Sequence, residues 1–170
     1  MSGHSKWATI HRDKEVNDSK RGVAFTKFAH AITIAARQRE DYKLRLIIEK
    51  ARAINMPKDN IQRAIDRAAV TGVDGLEEFM FEGFAPGGVA VMIATITDNK
   101  LRTAQQVRGV LEKGGGSLGS KGSVAYLFSV DMKPNFELVV KDTATRAKVE
   151  AVLEKLTDLD DVTQIWTNYA

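Results

Sequence analysis

Apolar residues recur at two different periods along this chain, and the point where the period changes marks its organisation. Over residues 8–70 they fall at helical spacing. Phe25, Phe28, Ala29, Ile32 and Ala36 form one stripe, and Leu44, Ile47, Ile48, Ala51 and Ile54 form the next. Gly22 is expected to separate a first basic helix from the second. Pro57 suits the first turn of a short helix carrying Ile61, Ala64 and Ile65. No helix of this length is stable alone, so the set is expected to pack as a small bundle.

The period drops to two after TGVDGL at 71–76. EFMFEGF and GVAVMIATITD flank Pro86-Gly87-Gly88 and read as a hairpin. A helix follows near 101–113, with Ala104, Val107, Val110 and Leu111 on one face. The loop GGGSLGSKGS leads into a strand at SVAYLFS, and FELVVK reads as another. Residues 143–157 form a helix with Val149, Val152, Leu153 and Leu156 in register, and DDVTQIWTN closes the chain as a strand. The expected class is α+β. A basic helical domain (1–72) precedes a ferredoxin-like, split βαβ domain (76–170) that carries an extra N-terminal hairpin strand.

Charge alters this picture more than composition does. The net charge is only +3, but residues 1–70 hold 15 Lys+Arg against 8 Asp+Glu, whereas residues 71–170 hold 10 against 14. A basic front on a mildly acidic body points to a polyanionic partner. Without cysteine the chain has no disulfides and no zinc-thiolate sites. The N-terminus lacks the apolar core of a secretory signal, and VAVMIAT at 89–95 is too short to span a bilayer. A soluble cytoplasmic protein is expected, with no membrane partner, and a monomer.

Candidate chemistry gathers in two places. In the first thirty residues Lys6, Arg12, Lys14, Lys20, Arg21 and Lys27 are spaced to meet phosphates, and Trp7, His4 and His11 stand among them for stacking or polar contacts. The same pattern also describes a solvated amphipathic helix, which Asp13, Glu15 and Asp18 favour, and Trp7 equally suits a core anchor. In the loop 114–123, successive glycine amides around Gly115, Gly116, Ser120 and Lys121 can form an anion-binding nest or simply turn the chain. It is no Walker A loop, because Ser120 stands where the lysine is needed and the loop follows a helix instead of opening one. KGSVAYLF resembles an RNA-recognition motif only faintly, since Ser123 and Ala125 occupy its stacking positions. His4, His11 and Asp13 lack a third ligand at metal spacing, and LTDLDDV reads as a solvated turn. No nucleophile or triad stands out, so no enzyme, metal or cofactor is expected.

Taken together, SGHSKW (2–7), SKRGVAFTK (19–27), NMPKDNIQRAI (55–65), FEGFAPGGVAV (81–91), TDNKLRT (97–103), GGSLGSKGSVAYLF (115–128) and LDDVTQIWTN (159–168) resemble the YebC/PmpR family, in its order and over almost the whole chain. The resemblance implies a helical N-terminal domain on an α/β body, and a cytoplasmic, non-enzymatic regulator of gene expression. Bacterial members of that family are commonly described as probable transcriptional regulators that bind DNA. A mitochondrial relative is a translational activator for a cytochrome oxidase subunit, and other members are regarded as ribosome-associated factors.

Three departures stand out. The domain that the family inserts after SVAYLF is absent near 129–135, the connection RQREDYKLR is short, and Asp13 and Glu15 dilute the first basic segment. The favoured expectation is a translation factor bound to ribosomal RNA. Lys6, Lys20, Arg21, Lys27 and Lys58 would be on phosphate and the 114–122 loop would make a second contact. The alternative is a DNA-binding transcriptional regulator using the same basic face.

Overall fold

The computed structural model describes residues 18–70 and 75–170. Among the described residues three helices come first: α1 (Asp18–Arg37), α2 (Asp41–Ala53) and α3 (Lys58–Ala69). The first runs unbroken through Gly22, against the expected break. A glycine within a helix costs about 1 kcal/mol relative to alanine, and the packing beyond it outweighs that. Phe25, Phe28, Ala29 and Ile32 of α1 meet Leu44, Ile47, Ile48 and Ala51 of α2 and Ile61, Ala64 and Ile65 of α3 in one apolar cluster. Thr33 fastens α1 to α3 by donating its hydroxyl to the Ala64 carbonyl at 2.9 Å. Pro57 caps α3 from just outside, its carbonyl accepting from the amides of Asn60 and Ile61.

Four strands follow: β1 (Glu77–Ala85), β2 (Val89–Thr97), β3 (Ser117–Leu118) and β4 (Val162–Thr167), with α4 (Lys100–Gly114) and α5 (Thr143–Thr157) between the last three. β1 and β2 form the expected hairpin about Pro86–Gly88, paired from Glu77↔Thr97 to Ala85↔Val89. The sheet order is β3-β1-β2-β4 and every neighbouring pair is antiparallel. β2 and β3 therefore run parallel with β1 between them, which makes β2-α4-β3 a split βαβ unit. The ferredoxin-like sheet is present, but β1, read as an extra strand in front, occupies its third position.

Two expected strands are therefore corrected. Residues 123–129 hold a short 3₁₀ turn, Ala125–Leu127, and the strand after α4 is Ser117–Leu118 instead. Residues 136–141 form no ladder; Leu138 alone bridges to Tyr169, in parallel. The first has its cause outside the segment. The amides of Val124 and Ala125 are claimed by a carboxylate, described below. At the second site, Asn168 accepts from the Ala90 amide through its side chain at 2.9 Å and from the Leu138 amide through its carbonyl at 2.7 Å, and the Ala170 amide donates to the Leu138 carbonyl.

The main core lies between one sheet face and α4/α5, where Val91, Ile93, Val107, Leu111, Val149, Leu153 and Leu156 are buried. At one end of the other face, Ile34 of α1 packs on Leu76 and Ile96. Residues 32–35 of α1 are all buried, more than one helix face can supply, because α1 is covered by α2 and α3 on one side and by the sheet on the other.

Candidate nucleic-acid interface

His4, Lys6, Trp7, His11, Arg12 and Lys14 lie outside the described residues. The other candidates fall on the helical bundle and on the loop after α4. Arg21 and Lys58 are exposed, Arg21 on the first turn of α1 and Lys58 at the start of α3. Lys20 and Lys27, two turns apart on one face of α1, are half-buried and point the other way, onto α5. Lys20 Nζ lies 3.3 Å from Glu154 Oε1. Lys27 donates to the Thr157 carbonyl at the C-terminal end of α5, where unsatisfied carbonyls and the helix dipole favour a cation. Burial pulls the Lys27 ammonium down from the usual lysine range to about 8, against the opposing pull of Asp158 and Asp160. These two lysines therefore join α1 to the α/β layer.

Of the two readings open for the loop, an anion nest and a simple turn, the glycines around 115–116 turn the chain, while an anion is held at the loop's end by Gly122, Val124 and Ala125, and that anion is part of the chain. Glu82, on the face of β1 away from α4 and α5, is only 6% exposed. Its Oε1 accepts from the Gly122 amide at 2.7 Å, and its Oε2 accepts from Val124 and Ala125, each at 2.9 Å. Burial pushes this carboxyl up, but the three amides and nearby Lys121 outweigh it and hold Glu82 below the ordinary glutamate value. Gly115 and Gly116 are also committed. Gly115 ends α4 at φ +93 in the left-handed region, and the Gly116 amide donates to the Leu111 carbonyl at 2.8 Å. A Cβ on Gly116 would stand 2.1 Å from the Phe84 carbonyl oxygen, so the glycine is required by close approach to β1. Of the candidates in the loop, Ser120 and Lys121 present exposed side chains.

The segment TDNKLRT is likewise explained by folding. Asn99 caps α4 by accepting from the Arg102 amide at 3.0 Å. Thr103 donates to Asp161 Oδ2 at 2.6 Å, and Arg102 reaches Asp98 at 2.8 Å and Asp161 at 3.1 Å. Burial raises Asp161, but the bonds from Thr103, Arg102 and Thr97 prevail and hold it below the ordinary aspartate value. His30 of α1 lies near this knot. Burial lowers its imidazole against the attraction of Asp161, and its Nδ1 is buried with no hydrogen-bond partner among the described residues.

Sequence reasoning missed other cations on the bundle. Arg45, Lys50 and Arg52 on α2 and Arg63 and Arg67 on α3 are exposed. Arg63 and Arg67 flank a cleft of about 220 Å³ between α1 and α3 whose apolar wall is Phe25, Ala29, Met56 and Ala64. The spacing Asn60, Arg63, Arg67 along one helical stripe was the available signal. A second cleft, about 760 Å³, opens where α1 and α2 meet the sheet beside Met80 and Trp166; its Lys43 is tied to Glu40 and Glu78. Among the described residues no group of three or more His, Asp or Glu is placed to hold a metal ion, and no helix is long and apolar enough to cross a membrane.

Comparison with known proteins places this geometry in context. Residues 5–71 match the family model described as the TACO1/YebC protein N-terminal domain, and residues 76–131 match that of the TACO1/YebC second and third domain. A probable transcriptional regulatory protein of Roseiflexus castenholzii is 44% identical over 182 aligned positions, covering 99% of this chain and 71% of the relative. One from Treponema denticola is 45% identical over 176, again covering 99% and 71%. The crystal structure of a conserved hypothetical protein from Aquifex aeolicus superimposes with a TM-score of 0.88 at 30% identity, covering 98% of this chain and 97% of that one.

Proposed function

The chain belongs to the TACO1/YebC family, and we propose that it is a non-enzymatic regulator of gene expression that works by binding RNA in a ribosomal setting. Its relatives carry the name of probable transcriptional regulatory proteins, which supports a regulator. The choice of RNA rests chiefly on one observation, the charge and shape of the helical bundle. Residues 18–70 carry 12 Lys+Arg against 6 Asp+Glu, and the exposed cations are spread over α1, α2 and α3 rather than lined along one helix. A duplex reader of the helix-turn-helix kind sets a single recognition helix into the major groove. A small knob with cations on several sides instead suits a pocket walled by RNA, where shape and phosphate contacts suffice.

In this reading Arg21 and Lys58 contact phosphate together with Lys6, Arg12 and Lys14. Trp7, His4 and His11 supply stacking or edge contacts, and Ser120 and Lys121 make a second, peripheral contact. Lys20 and Lys27 serve to hold α1 against α5, and Gly115 and Gly116 shape the loop.

Cosedimentation with ribosomes, run beside titrations of structured RNA and promoter-like duplex over a salt series, tests this. Salt-sensitive binding to ribosomes and RNA that drops at least about tenfold without residues 1–17 is the expected result. Tight, sequence-selective duplex binding with none to ribosomes would establish the transcriptional alternative.

A further inference from the structure

We propose that the cleft between α1 and α3 seats one unpaired RNA base, with Arg63 and Arg67 clamping the phosphates on either side; this rests on the RNA-binding reading above. Asn60, Arg63, Ala64 and Arg67 form a single stripe of α3, and Phe25 and Ala29 form the facing stripe of α1, with Met56 at the cleft's end. The wall is apolar and partly aromatic, and the rim is cationic. An unstacked base in a nucleotide chain needs that pairing of properties: a surface for its ring beside donors for its phosphates. Arg63 and Arg67 stand four residues apart, on neighbouring turns of α3, and both are exposed. A guanidinium there can take a phosphate in bidentate fashion, with more geometric selectivity than a lysine.

Size narrows the occupant. At about 220 Å³ the cleft falls below the roughly 300–1,000 Å³ of sites that enclose a whole small ligand, so it holds one ring and leaves the backbone outside. Polar groups are available for the base edge. Asn60 is on the rim, and Thr26, whose hydroxyl donates to the Gly22 carbonyl, keeps oxygen lone pairs free to accept. Gly22 carries no side chain at the start of this stripe, and among the described residues nothing lies within 4 Å of where its Cβ would stand. Two carboxylates adjoin the stripe in sequence without belonging to it: Asp59, exposed beside Asn60, and Asp66, beside Arg67, which accepts from Gln62 at 2.8 Å.

The full chain titrated with fluorescent single-stranded RNA, with duplex RNA of equal length, and with the same single strand made abasic at its centre gives the test. The Arg63→Gln/Arg67→Gln variant should weaken single-strand binding by roughly tenfold at low salt. It should also lower the slope of log affinity against log salt by about 1.4, two charges at about 0.7 each. The wild type should prefer the intact strand to the abasic one, and the variant should lose most of that preference. A matched variant on α2, Arg45→Gln/Arg52→Gln, should keep it. No binding of any nucleic acid by the wild type would overturn the RNA-binding reading itself. Wild-type binding with an unchanged slope in the Arg63/Arg67 variant would overturn the cleft alone. So would equal competition by an acidic peptide, which would mark the rim as a protein-docking surface.

Discussion

Glu82 carries more of the fold than its single position suggests. Replacing it with glutamine keeps the shape but turns an N–H₂ toward backbone donors, so at least one of the amides of Gly122, Val124 and Ala125 loses its acceptor. A buried donor left unsatisfied costs about 1–3 kcal/mol, and Glu82→Gln should lower unfolding stability by that amount in urea melts at neutral pH. The pH dependence has a definite sign. The folded carboxyl is held below the ordinary glutamate value of 4.5, so its contribution is present above that pH and fades as the pH falls through the folded value. The gap between wild type and Glu82→Gln should therefore narrow in acid. A gap that stays constant down to acid would mean the carboxylate charge is irrelevant to the nest.

Lys27 behaves in the opposite sense. Its ammonium titrates near 8 in the folded protein against 10.5 in the free side chain, so between those values the unfolded chain binds more protons and stability rises with pH. Measured against Lys27→Met, the wild type should gain stability from pH 8 to 10.5 and show no relative change between pH 6 and 7.5. A flat difference across the alkaline range would mean Lys27 is solvated and not packed on α5. This lysine also marks a limit of sequence reading. Its spacing with Lys20 is that of a phosphate-facing stripe, and only the position of α5 reveals that the stripe faces inward.

At the scale of elements, the helices were legible because their apolar stripes repeat over several turns, and the β1–β2 hairpin because Pro86-Gly87-Gly88 separates two alternating runs. The misread strands share a different physics. SVAYLF has strand composition, but its amides answer to Glu82, some forty residues earlier, and no local pattern contains that contact. β3 is two residues long and is fixed by the close approach of Gly116 and Gly83 to the neighbouring backbone, a signal seen only in three dimensions. Of the candidate site, the basic bias was legible in composition. The cleft was not, because it needs α1 and α3 side by side. Gly22 offers a direct check on the helix boundary. Since α1 continues through it and a Cβ would meet nothing within 4 Å among the described residues, Gly22→Ala should stabilise the protein by about 0.5–1 kcal/mol. Destabilisation in the same urea melts would show that the helix breaks there.

At the scale of the whole molecule, the bundle and the sheet layer are joined by contacts of several kinds. Ile34 packs on Leu76 and Ile96, Arg37 donates to the Leu76 carbonyl at 3.3 Å, Gln38 reaches Glu78 at 3.3 Å, and Lys20 and Lys27 meet the end of α5. Exposed ion pairs are worth little, about 0–1 kcal/mol each, so the buried apolar seam should decide whether the two layers unfold together. Ile34, 4% exposed, is its natural probe. In a Trp7→Phe background, Trp166 reports on the sheet while far-ultraviolet circular dichroism is dominated by the helices. The two signals should trace one coincident transition, as expected of a single cooperative unit. Ile34→Ala should remove about 2–5 kcal/mol and, by thinning the seam, separate the transitions, with the part of the helical signal that comes from α1–α3 lost first because the bundle has the smaller core, and the part from α4 and α5 lost with the sheet. Separate transitions in the parent would mean that the seam does not couple the layers. The basic bundle would then present its cations from a head free to reorient on the α/β body.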